Sequence, residues 1–230
     1  IHNFLWNPIN IHRFVANIAY GGSIVGAYAA FKFLTAGSKE ARAHYDWMGY
    51  NANFIAICAL LPLPFAGYYL AAEIYAYSQQ MGITLMGGIF AWLFIIQAVL
   101  IGTLFLSANY YLWCGMGRSD GAKRYTKYIK YIAIVLVGAF LVWFTPHTLV
   151  LSNAELKALG GPHHKILGPL GIMPAKNTAV NVMIIFTALS FMFYRRANKI
   201  ATVNWVNAGN AFQVALFTAG IINIMFLGIY

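Results

Sequence analysis

The sequence predicts an all-α membrane bundle of about six transmembrane helices, forming a single domain over residues 1–230. Three observations predict it. Hydrophobic residues make up 61% of the chain, charged residues only 9%, and the mean hydropathy is +0.67. A soluble domain carries roughly 25% charged residues, so this chain cannot cover itself with a wettable surface. Its apolar runs reach the ~20 residues that a bilayer span needs, and they are continuously apolar, where a membrane barrel would alternate in short segments.

The first span is expected over about 12–34, where Gly22 and Gly26 form a GxxxG that lets another helix approach closely. The second, about 48–75, contains Pro62-Leu63-Pro64 and should kink or break near mid-membrane. The remaining four fall at about 87–114, 130–147, 178–196 and 207–230. The longest connection, about 148–177, exceeds what a plain turn requires; long loops are often functional. It carries His163-His164, a pair that either binds a metal or is simply solvated.

Lysine and arginine set the orientation. Eleven of them (Lys32, Lys39, Arg42, Arg118, Lys123, Arg124, Lys127, Lys130, Arg195, Arg196 and Lys199) lie in or beside the connections after spans one, three and five. Four (Arg13, Lys157, Lys165 and Lys176) lie on the opposite side. The positive-inside rule puts the first group in the cytoplasm and the start of span one outside. Trp47, Trp113 and Trp143 fall near span ends, as an aromatic belt requires. Membrane orientation accounts for the net charge of +10, so nucleic-acid binding is not expected. Cys58 and Cys114 have no CxxC partner, which gives no support to a disulfide framework, a zinc site or a c-type haem attachment. The chain starts without Met and stops inside an apolar run at Tyr230, so it reads as part of a longer protein.

The candidate chemistry lies toward the outer face. His12 stands at the mouth of span one and reads either as an axial haem ligand or as an interfacial histidine. Arg13 beside it would neutralise a haem propionate. Ala16, Ala19, Gly22 and Gly26 would leave room for a flat macrocycle. His147 ends span four as a haem ligand, a quinol proton acceptor or an ordinary helix-end residue. Met183, one turn into span five, is a possible axial ligand or a packing residue. These three share one predicted depth. Glu73 is the only carboxylate expected in or near the end of a span, either on an ion path or in interfacial water. The amides within the spans, Gln213 among them, bridge helices or line a cavity. No nucleotide-binding or hydrolase signature is evident.

Asn7-Pro8 followed by His12 and the Gly-rich helix resembles the haem-bearing fifth helix of subunit I of cytochrome bd-type quinol oxidases. The runs Leu61-Pro62-Leu63-Pro64-Phe65-Ala66-Gly67-Tyr68, Gln80-Met81-Gly82-Ile83-Thr84-Leu85-Met86-Gly87-Gly88 and Trp143-Phe144-Thr145-Pro146-His147-Thr148 are similar to divergent bacterial members. The resemblance implies a haem b near the outer face of the bacterial cytoplasmic membrane, with His12 and Met183 as axial ligands and quinol as the electron source. It also implies partner subunits of a respiratory complex, with an outer-face cytochrome among the candidates. The family's oxygen-site helices and its Gly-Arg-Gln-Pro-Trp signature have no counterpart in these residues. Any oxygen-reducing centre is then expected in another part of the protein or another subunit. Two rival readings stand beside this one: a transporter, for which a broken helix speaks, and a cofactor-free anchor subunit.

Overall fold

The computed structural model describes residues 3–78, 81, 91–119, 122–144, 172–200, 204–205 and 208–228. Seven helices make up the described part: α1 Trp6–Thr35, α2 Lys39–Leu60, α3 Leu63–Tyr77, α4 Ala91–Gly117, α5 Lys123–Phe144, α6 Ile172–Ile200 and α7 Asn210–Gly228. No strand occurs among the described residues. Among the described residues six stretches are long and apolar enough to cross a membrane, α2 and α3 counting together as one from Lys39 to Tyr77. Many large apolar side chains point outward, including Phe14, Tyr68, Ile134 and Met192. Exposed apolar area of this extent marks contact with something other than water, and a lipid bilayer is the solvent that suits six such helices. This is a multi-pass, all-α membrane protein.

The expected break in the second span falls at Leu61 and Pro62. Prolines at 62 and 64 cannot donate to the carbonyls of Cys58 and Leu60. The backbone nevertheless keeps right-handed helical dihedrals through the gap, with φ −65° and ψ −47° at Leu61 and φ −79° and ψ −15° at Pro62. The chain therefore kinks without reversing, and Ala66 N–H resumes the ladder on Pro62 O at 3.1 Å.

Helix α1 lies between α2 and α7, with α3 along its first half. Small residues make this possible. A Cβ added at Gly22 would stand 2.8 Å from the Ala52 carbonyl oxygen of α2. One added at Gly220 of α7 would stand 2.9 Å from Ala27 Cβ and 3.0 Å from Ser23 O of α1. On its other side α7 meets α4, and α4 packs with α5 and α6. Asn109 on α4 donates to Thr187 Oγ1 on α6 at 3.1 Å, a buried polar tie within that second group.

The helices run past the apolar windows that announced them. Helix α5 was expected from 130 and begins at Lys123; α6 was expected from 178 and begins at Ile172. Hydropathy registers the membrane slab, whereas the backbone ladder continues into the polar boundary. The second span likewise begins at Lys39, because Ser38 caps it by accepting from Ala41 N–H at 3.1 Å.

Candidate functional site

His12 sits on the second turn of α1, half-buried, with its ring against α3. Its Nε2 and Cδ2 lie 3.6 and 3.7 Å from the position a Cβ would take on Gly67, so that glycine lets the imidazole lie close to the α3 backbone. Arg13 is exposed. His147, His163 and His164 lie outside the described residues.

Met183 is fully buried on α6, among Phe105 of α4, Ile132 and Leu136 of α5, and Ala179 and Ile184 of its own helix. Because α6 starts at Ile172, Met183 lies eleven residues into the helix, about 16 Å along its axis. His12 is six residues into α1, or about 9 Å. The substantial helix contacts of α1 are with α2, α3 and α7, and those of α6 are with α4 and α5, so the two residues stand on helices with different neighbours.

Haem b is the cofactor that the family resemblance implies. The residues suit one axial position, His12, whose ring stands at the edge of the bundle. They do not suit a single iron held by His12 and Met183, which requires both ligands on opposite faces of one macrocycle. Nor does the small face of α1 hold space for the ring, because α2 fills it: Ala52 and Ala56 close on Gly22, and Asn53 on Gly26. Close helix approach accounts for these small residues.

A different polar cluster emerges at the opposite end of α1 and α2. Asp46, on the second turn of α2, is 1% exposed. Arg118, the residue after α4, is 5% exposed and places Nη2 2.5 Å from Asp46 Oδ2. Gln213, in the first turn of α7 and 1% exposed, donates from Nε2 to Asp46 Oδ1 at 3.0 Å. Three rings surround the guanidinium: Phe212 at 4.8 Å, Trp205 at 5.1 Å and Tyr50 at 5.6 Å. Tyr111 O–H donates to the Tyr50 carbonyl at 2.7 Å, fixing the wall of this cage.

Asp46 corrects the expectation that Glu73 is the only carboxylate within reach of a span. The sequence held the signal in Ser38, a good N-cap that sets Asp46 two turns inside α2. It held no signal that Arg118, one of eleven basic residues on that side, would turn inward. Glu73 itself is partly buried on α3.

The class defined by these observations is a multi-pass helical membrane protein with, among the described residues, a buried ion pair at a helix-end junction. No family model, curated protein or solved structure matches the chain.

Proposed function

We propose that this chain is a haem b-bearing membrane subunit of a bacterial respiratory electron-transfer complex, passing electrons between quinol and haem near the outer face of the cytoplasmic membrane. The observation that supports it is the imidazole of His12, half-buried at the α1–α3 contact on the side away from the basic connections. When bound, haem b supplies reversible one-electron transfer, and its potential is tuned by the axial ligands and their surroundings. His12 would hold the iron from the bundle edge. Arg13, next in sequence and exposed, would meet a propionate in the headgroup region. The second ligand would come from a segment beyond the α1–α3 contact, with His147 the sequence candidate on that side; Met183, which the resemblance implies, stands apart among α4, α5 and α6.

A second reading is favoured by a specific observation. The small face of α1 is filled by α2, and Met183 is enclosed by side chains; a cofactor-free anchor would be built that way. A reduced-minus-oxidised visible spectrum of the complex in native membranes separates the two. A b-type band that disappears in His12→Ala supports the electron carrier. A spectrum without such a band, or one indifferent to that substitution, leaves the anchor.

A further inference from the structure

The Asp46–Arg118–Gln213 cluster contains more hydrogen-bonding capacity than its members use. Among the described residues, Arg118 Nε and Nη1, Gln213 Oε1 and Tyr194 Oη are all buried without a hydrogen-bond partner. Their residues are linked through shared contacts. Tyr194, 1% exposed on α6, packs against Tyr50 with centroids 5.6 Å apart and the rings tilted by 37°, and Tyr50 lines the arginine cage. The Tyr194 hydroxyl lies 3.1 Å from where a Cβ on Gly115 would stand, in the turn whose carbonyl accepts the Arg118 N–H at 3.2 Å.

Each buried polar group left unmade costs roughly 1–3 kcal/mol. The unmet set includes donors and an acceptor, with a hydroxyl that serves as either. A buried water satisfies such a mixture, making typically about three hydrogen bonds to groups of this kind. An anion would be repelled by Asp46, and a cation by Arg118.

The aromatic cage points further than hydration. A desolvated cation–π contact is worth about 2 kcal/mol or more, and three rings face this guanidinium. Arg118 is thus held by more than its carboxylate, and neutralising Asp46 would not leave the cation unsupported. Gln213 meets either state of Asp46, donating to Oδ1 while its own Oε1 stays open to accept a hydrogen bond.

We propose that Asp46, Arg118, Gln213 and Tyr194 enclose a bound water through which Asp46 exchanges a proton with the basic face of the bundle. The cluster then alternates between an ion pair and a caged arginine beside a neutral carboxyl. On uptake, a hydronium ion or buffer acid gives one proton to the carboxylate, the cluster gains one positive charge, and no electron moves. The other titratable groups nearby are Tyr50 and Arg42 on α2, Tyr111 and Cys114 on α4 and Tyr194 on α6. Arg42 is already engaged by Asn210 Oδ1 at 2.9 Å and by the Phe33 ring of α1. The proposal is independent of the haem reading.

Infrared titration of the full protein in membranes tests it. The chain contains two aspartates, Asp46 and Asp120, so carbon-13 on the aspartate carboxyl marks these two within it, and the variants assign the band. The expected result is a labelled carboxylic-acid band that grows as pH falls and shifts in heavy water. It should persist in Asp120→Asn, vanish in Asp46→Asn and move in Gln213→Leu. A band removed by Asp120→Asn would overturn the proposal. So would labelled carboxylates that stay ionised at every pH where the bundle remains folded. The Asp120→Asn and Gln213→Leu variants keep the test decisive if Asp46→Asn does not accumulate.

Discussion

The side chain of Asn53 on α2 occupies the space that a Cβ on Gly26 of α1 would need. Asn53 is held there by its own bond to the Gly49 carbonyl at 2.9 Å. One turn earlier, Gly22 meets the backbone of Ala52, which has even less freedom to yield. The α1–α2 contact is therefore set by backbone approach, and its tolerance for added methyl groups is low.

Gly22→Ala should destabilise the bundle by about 1–3 kcal/mol, the usual cost of overpacking. Gly21→Ala, with no atom within 4 Å of the new Cβ, should leave stability unchanged or raise it by up to about 1 kcal/mol through helix propensity. Thermal unfolding of the two variants in detergent provides the comparison, and equal losses would refute a backbone-limited contact.

The ion pair should respond asymmetrically. Arg118→Leu leaves a buried carboxylate with Gln213 as its remaining described partner, a change expected to cost about 3–5 kcal/mol. Asp46→Asn leaves Arg118 inside its ring cage and should cost less, by about the cation–π contribution of 2 kcal/mol. Denaturation in mixed micelles can rank them; the reverse order would mean that the rings contribute little.

Thr187→Val removes the α6 hydroxyl that accepts from Asn109 Nδ2, while the Asn109 bond to Phe105 O at 2.9 Å within α4 remains. Polar ties between membrane helices average about 0.6 kcal/mol and reach about 1.7. A loss in that range is expected, read from the same unfolding assay. A cost above twice the upper figure would show that the threonine does more than accept this bond.

If a b-type band is present, His12→Ala should abolish it, whereas Met183→Leu should leave its position unchanged and lower stability only slightly. The basis is packing: Met183 is enclosed by α4, α5 and α6, and a volume-conserving swap there usually costs under about 1.5 kcal/mol. Difference spectra of both variants decide it, and a band lost in Met183→Leu would move the iron to α6.

Much of the architecture was legible beforehand. The six spans, the break at Pro62 and the packing role of Gly22 and Gly26 all follow from local rules, because bilayer thickness, proline chemistry and the size of glycine act on each segment separately. The helix starts were less legible. Lys123, Arg124, Lys127 and Lys130 are too polar for a hydropathy window, yet they continue α5 as a helix. What separates Met183 from His12 is lateral packing: Met183 lies among α4, α5 and α6, whereas His12 lies against α3.

The amino-acid order by itself determined that the chain spans a membrane as helices, since apolar length and the scarcity of charge leave no other way to satisfy the backbone in lipid. Only the tertiary structure decided which charges face inward. Arg118 resembles its basic neighbours in sequence and differs from them because the ends of α2, α4 and α7 converge on it, bringing a carboxylate, an amide and three aromatic rings from positions up to 167 residues apart. Such convergence depends on how helices cross, and no local pattern encodes it.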